Sequence, residues 1–173
     1  LGPVDVRATA RIDQAPGAAR PAVAGQFDLR VLGLTNASAR DFLGGLPRAS
    51  GNFALGADGA IALTGAQLTS PNLSVTGASG RYDPASGRFA LDASGRSRAY
   101  GPFTVSASGT STAPRGTVKL ASPGFGFGVS DVVADISPVP GGVLLVARGE
   151  SPQGPLDGRI IVGFGEGRPL VLD

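Results

Sequence analysis

The sequence predicts an all-β protein, built as a curved antiparallel meander with one short helix near residues 37–43. Apolar residues alternate with small polar ones, most regularly between Pro71 and Gly109. Alternation places the two sets on opposite faces of a strand, because side chains on an extended backbone have period two. Turn-forming residues interrupt the apolar runs about every 8–12 residues, the spacing of an all-β sheet. Only one stretch carries helix boundary signals.

The composition excludes several classes of protein. The chain has 173 residues with 28 Gly and 14 Pro, but its 42% hydrophobic content is periodic, which argues against disorder. It contains no Cys and no His, so disulfides, thiolate metal sites and imidazole chemistry are excluded. The net charge is +2 and the basic residues are scattered singly. Nucleic-acid binding needs a clustered basic footprint, so we expect no nucleic-acid partner.

The first two strands are predicted from clean alternation. Residues 4–12 form the first strand, with Val4, Val6, Ala8, Ala10 and Ile12 on one face. The Ala- and Pro-rich stretch 13–24 reads as a connection. Residues 26–34 form the second strand, with Phe27, Leu29 and Val31 aligned.

The stretch that follows is the predicted helix, Ala37 to Leu43. Asn36 or Ser38 is a candidate N-cap, and Gly44-Gly45 follows the last turn. Pro47 cannot continue a helix because proline has no backbone N–H.

The remaining segments are predicted to be strands joined by short turns. Asp58-Gly59 separates runs 49–55 and 60–68, and Asp-Gly is a strong hairpin signal because both turn positions tolerate positive φ. Asp83-Pro84-Ala85-Ser86-Gly87 and Gly101-Pro102 are further turns. The later predicted strands are residues 117–121, 125–129, 131–136, 143–148, 156–164 and 170–172, with a turn at 138–142.

No arrangement of residues indicates an enzyme, and we expect no cofactor and no metal. A serine nucleophile would have to use Lys119, the only lysine, and Ser122 lies nearby in sequence. We interpret Lys119 as a solvent-facing strand residue. Asp131 and Asp135 would share a strand face but lie roughly 13 Å apart, too far for an acid and base pair. The glycine-rich stretches 124–128 and 163–167 lack the spacing and following helix of a dinucleotide-binding loop.

The apolar face of the predicted sheet must be covered by a second sheet, a membrane or an apolar ligand. We predict that one continuous face includes Leu29, Phe53, Leu55, Ile61, Leu63, Val75, Phe89, Leu91, Phe103, Val105, Val118, Leu120, Val143, Leu145, Ile160 and Val162. Strand register across the turns decides this set, since a one-residue slip moves a strand's side chains to the other face.

The run LTSPNLSVTGASGRYDPASGRFALDASGRSRAYGPFTVSASGTSTAPRGTVKL resembles the repeat region of TamB-type translocation and assembly module proteins. These belong with the AsmA-like, bridge-like lipid transfer proteins of the Gram-negative envelope. The segment from Gly80 to Phe103 is similar to alphaproteobacterial versions. The resemblance is best over residues 49–120, and it brings no catalytic motif.

The resemblance implies a U-shaped β-groove whose apolar inner face conducts phospholipid between inner and outer membranes. It also implies support of outer-membrane protein assembly, acyl chains as ligands, and an outer-membrane barrel as a partner through the parent protein. The expected location is the periplasm, with the parent anchored in the inner membrane. We therefore expect residues 1–173 to be one continuous groove segment of a larger envelope protein. The alternative is a structural or adhesive β-rich extracellular module with a closed core.

Overall fold

The computed structural model describes residues 2–14, 21–123, 128–163 and 171–172. They form one open, curved antiparallel sheet of 12 strands, in which the spatial order of the strands is their order in the chain. The predicted fold class is therefore confirmed. The strands are β1 Val4–Asp13, β2 Ala22–Val31, β3 Arg48–Leu55, β4 Ile61–Thr69, β5 Leu73–Asp83, β6 Arg88–Ser97, β7 Gly101–Thr110, β8 Ala113–Leu120, β9 Ser130–Val139, β10 Gly142–Ser151, β11 Gly154–Gly163 and β12 Val171–Leu172.

Helix α1 spans Ala37–Leu43 and joins β2 to β3, as predicted. The side chain of Asn36 accepts a hydrogen bond from the Ala39 N–H at 2.9 Å, so Asn36 is the N-cap. Gly44 ends the helix in the left-handed region at φ 69°, where glycine carries no Cβ penalty, and its N–H donates to the Arg40 carbonyl.

Several strand boundaries differ from the prediction. β2 lies at Ala22–Val31 and not at 26–34, so residues 22–24 of the predicted connection 13–24 belong to the strand, where they pair with β1. After the Leu32 N–H donates to the Pro3 carbonyl, the chain leaves the sheet. β9 continues through Val139, so the predicted turn at 138–142 is wrong at its first residues, and Pro138 pairs with Val143 inside the ladder. Strand continuation after an apolar residue depends on a cross-strand partner, which the alternation does not reveal.

The Asp58-Gly59 hairpin forms, but not with positive φ at both positions. Only Gly59 has positive φ, at 82°. The loop is longer than two residues, since the Gly56 N–H donates to the Ala60 carbonyl at 2.9 Å. The Asp58 carboxylate accepts from the Ala60 N–H at 3.0 Å, which fixes the turn locally.

Two irregularities keep the apolar residues of β4 and β5 on one face. The register shifts in β4 between Leu63 and Ala66, next to Gly65, whose φ is 58°. It shifts again in β5 between Val75 and Gly77. Each shift adds one residue to a strand, as a β-bulge does. Before the bulge the odd-numbered residues of the strand lie on the apolar side, and after it the even-numbered residues do.

The sheet has two rims, formed by the ends of its strands. The rim next to α1, which we call the α1 rim, is where β2, β4 and β6 end and where β3, β5 and β7 begin. The other rim, which we call the opposite rim, contains the β3–β4 and β5–β6 turns. Among the described residues, extensive contacts run only between consecutive strands, so no second sheet covers either face. Residues 125–127 of the predicted strand 125–129 and residues 164–167 of the glycine-rich stretch 163–167 lie outside the described residues, and Gly128 and Val129 are not in a strand.

Candidate functional site

The candidate site is one face of the sheet, which we call the apolar face. Residues that pair across antiparallel strands point to the same side, so the register defines rows that run across the sheet. The first row is Val6, Leu29, Ala49, Leu68, Val75, Gly95, Phe103, Leu120 and Val132. The second is Ala66, Ala78, Ala93, Val105, Val118, Ala134, Ala147 and Gly158.

Two further rows belong to the apolar face, which also includes Ala8, Phe27 and Gly51. The third is Ala10, Gly25, Phe53, Leu63, Gly80, Leu91, Ala107, Gly116, Ile136, Leu145 and Ile160. The fourth holds Ile12, Val23, Leu55, Ile61, Tyr82, Phe89, Gly109 and Pro114, with Pro138, Val143 and Val162 on the later strands. None of these rows contains a charged residue.

Every residue proposed for the groove from the sequence lies in these four rows. Sequence reasoning missed Leu68, Ala66 and Ala78, because the bulges in β4 and β5 move them onto the apolar face. It also left out Ile136, which pairs with Leu145. The pairing of Leu68 with both Ala49 and Val75 becomes visible only once the turns fix the register.

On β2 and β7 the two faces differ in exposure, whereas on β10 Leu144 and Val146 of the other face are half-buried too. Along β2 and β7 the apolar-face residues are half-buried and the residues between them are exposed. Several large apolar side chains keep substantial exposure, including Leu91 at 37%, Ile61 at 44% and Tyr82 at 44%. Among the described residues no large side chain is fully buried. The sheet therefore presents a wide apolar surface that the described chain does not cover.

Phenylalanine rings on the apolar face lie beside glycines of the neighbouring strand. A Cβ atom placed on Gly95 would come within 2.8 Å of Phe103 Cζ, and one on Gly25 within 3.0 Å of Phe53 Cε1. Gly51 has the same relation to Phe27, at 3.1 Å. Each pair consists of direct cross-strand partners. The rings occupy the space that side chains at these glycines would take. The rings therefore lie over the neighbouring strand and do not stand out from the sheet, and we call this property low relief.

The opposite face, which we call the polar face, carries the charged residues. Exposed ion pairs such as Arg81 with Asp58, at 2.8 Å, lie on it or at its rims. A depression of about 580 Å³ also opens on the polar face. It is lined mainly by short side chains, among them Ser94, Thr104 and Ser106.

Among the described residues, the polar face shows no arrangement typical of catalysis. Lys119 is exposed in the row between Thr104 and Val133, and Ser122 lies beyond the end of β8. Asp135 accepts a hydrogen bond from the Thr117 hydroxyl at 3.0 Å, a contact between neighbouring strands. No group of three or more His, Cys, Asp or Glu side chains in the described ranges is placed to hold a metal ion.

No protein-family model, curated protein or solved structure matches this chain. Within the described ranges, α1 is the only helix, and no helix has the length and apolar character needed to cross a membrane.

Proposed function

We propose that this chain is a segment of an apolar β-groove that binds phospholipid acyl chains and conducts them between membranes, as its resemblance to TamB-type proteins implies. The observation that carries the proposal is the apolar face, which crosses the sheet from β1 to β11 without a charged residue. Exposed apolar patches of such extent mark binding surfaces. A ligand for this face needs a long apolar segment, and it does not need specific polar contacts.

The dimensions and energetics of the face suit acyl chains. Neighbouring strands lie about 4.8 Å apart, so a sheet of 12 strands extends for about 50 Å across its strands. Each methylene removed from water contributes about 0.8 kcal/mol. An acyl chain of ordinary length that lies along the apolar face is therefore held by contacts with several strands. It can slide because no single contact dominates its binding.

The low relief of the face also favours sliding. Phe103 and Phe53 lie beside the glycines of the neighbouring strands, where they add apolar area with little obstruction. A bulky side chain at those glycines would displace the rings.

The second candidate is a structural or adhesive module with a closed core. That function expects a second layer packed on the apolar face. The described residues form a single layer whose strands contact mainly their sequence neighbours, which favours the groove. Location in the periplasm, a role in outer-membrane protein assembly and an outer-membrane barrel partner are proposed with the groove on the same resemblance.

Native mass spectrometry of the purified chain tests the proposal. We expect phospholipid to co-purify and to remain bound at low activation energy. A chain that shows the β-sheet circular dichroism signature, but stays lipid-free after incubation with phospholipid vesicles, would contradict the groove and favour the closed-core module.

A further inference from the structure

The α1 rim carries a row of arginines on the polar face. Arg30 and Arg48 are direct cross-strand partners, and the same row continues through Thr69 and Ser74 to Arg96. Like charges directly opposite each other destabilise a sheet. The row therefore has an electrostatic cost that a bound anion would remove.

The carboxylates near this row neutralise only its Arg30 end. Asp28 forms an ion pair with Arg30 at 3.4 Å, and Asp5 is the partner of Arg30 on its other side. Both carboxylates therefore lie beside Arg30, at one end of the row. Within the described part of the chain, Arg48 and Arg96 form no ion pair.

Two more arginines add to the α1 rim. Arg98 lies in the turn between β6 and β7, is exposed, and forms no ion pair with another described residue. Arg40 lies on α1, next to Asp41, and donates to the Leu34 carbonyl. Positive charge is thus concentrated along the rim from β2 to β7.

The opposite rim has more acids paired with its arginines, although Arg115 forms no ion pair with a described residue. Arg81 pairs with Asp58 at 2.8 Å, and Arg11 pairs with Asp13 at 2.9 Å. Arg88 is the direct cross-strand partner of Asp83, so the unlike charges face each other there. Among the described residues between β2 and β7, the α1 rim therefore carries more arginines without an ion pair than the opposite rim does.

This difference determines where the head of a bound phospholipid would lie. A phosphate cannot enter the apolar face, because an unpaired charge there would lose its hydration without compensation. When the acyl chains of the phospholipid lie on the apolar face, its phosphate must therefore lie at one of the two rims. We propose that the α1 rim binds the phosphate of the phospholipid through Arg48, Arg96 and Arg98, an inference that rests on the proposed function of the groove.

Arginine suits this role chemically. The guanidinium group presents paired N–H donors that match two phosphate oxygens, and charge-assisted hydrogen bonds of this kind are stronger than neutral ones. Its aliphatic stem can lie along an apolar edge while the charged head stays in water. Arg48 and Arg96 are three strands apart, about 14 Å, so successive headgroups would meet arginines as they move along the rim.

Matched double variants test the proposal. Arg48→Gln/Arg96→Gln removes two positive charges from the α1 rim, and Arg88→Gln/Arg115→Gln removes two from the opposite side. Titration calorimetry at one salt concentration would measure binding of dihexanoylphosphatidylglycerol, of dihexanoylglycerol, which has the same chains without phosphate, and of inorganic phosphate.

We expect the wild-type chain to bind the phospholipid about tenfold more tightly than the diacylglycerol. A difference of that size is what about one charge-assisted hydrogen bond to the phosphate contributes. The α1-rim variant should lose that advantage and keep its affinity for the diacylglycerol, whereas the opposite-rim variant should keep both. Equal losses in the two variants, or no preference for the phosphate in the wild type, would overturn the rim site and leave the groove intact. Binding of inorganic phosphate at the same affinity as the phospholipid would also overturn it, and failure to bind either lipid would overturn the groove as well.

Discussion

Phe103 and Gly95 are direct partners across β7 and β6, and the phenyl ring lies where a side chain at Gly95 would be. A Cβ atom there would lie 2.8 Å from Phe103 Cζ and 2.2 Å from the Ser74 carbonyl oxygen. The second contact is with backbone and cannot be relieved by a rotamer change. Glycine at this position is therefore required both by the ring on the apolar face and by the close approach of β5.

The first prediction concerns this pair. Gly95→Ala should destabilise the chain by about 1–3 kcal/mol, the usual cost of overpacking. Gly158→Ala is the matched control, because it lies on the same face and a Cβ atom there meets nothing within 4 Å. Native-state amide hydrogen exchange in the strands around each glycine measures the free energy of local opening in both variants. Equal effects at the two positions would contradict the role of the ring contact.

The second prediction separates the two faces by charge. Val105→Glu should abolish phospholipid binding, because an unpaired carboxylate on the apolar face is costly to desolvate. Ser106→Glu, on the next residue of β7 and on the polar face, should leave binding near the wild-type level. The measurement is the amount of phospholipid that co-purifies, seen by native mass spectrometry.

Leu91→Asp gives the same test with less risk to folding, since Leu91 is already 37% exposed. If Val105→Glu and Leu91→Asp both fold and bind lipid like Ser106→Glu, the apolar face is not the binding surface.

The third prediction concerns the attachment of α1. The Asn72 side chain donates to the Asp41 carbonyl at 3.2 Å, and the Asn72 N–H donates to the Leu43 carbonyl at 3.0 Å. A helix of seven residues is not stable alone, so these bonds to the β4–β5 turn help to hold it.

Asn72→Ala should raise amide hydrogen exchange in α1 about fivefold, the equivalent of one hydrogen bond of about 1 kcal/mol. Asn52→Ala, which removes a longer 3.4 Å bond to the Thr64 carbonyl on the polar face, is the control. Unchanged exchange in α1 after Asn72→Ala would show that the side-chain bond is dispensable.

The fourth prediction concerns pH and the β5–β6 turn. The pKa of Asp83 lies below its ordinary value of 3.8, first because the Ser86 hydroxyl donates to the carboxylate and then because the Ala85 N–H does so at 2.9 Å. A lowered pKa means that the ionised form is favoured in the folded state. Its stabilising contribution is therefore complete above the ordinary pKa and is lost as the pH falls through the folded pKa.

Carbon-13 NMR of Asp83 should show its titration midpoint below 3.8. Ser86→Ala should move the midpoint up toward that value, because the largest cause of the shift is gone. A midpoint at or above 3.8 in the wild type would contradict the turn geometry.

The sequence was informative about faces and less informative about partners across strands. The period of two alone placed Phe103 and Val105 on one face, and the signals at Asn36 and Gly44 alone marked the ends of α1. Cross-strand relations such as Arg30 with Arg48 depend on the length of the loop that contains α1, and loop length does not reveal register. The bulge beside Gly65 likewise has no clear alternation signal, so Leu68 was not assigned to the apolar face.

The strand order of this sheet has a consequence for how the protein unfolds. Because strands contact mainly their sequence neighbours, stability is close to a sum of strand contributions and nearest-neighbour terms, as in repeat arrays. β1 has a partner on one side only, among the described strands, while β6 is paired on both sides. Loss of structure should therefore begin at the edges and advance strand by strand, so that equilibrium unfolding is graded and probe-dependent, with no single midpoint.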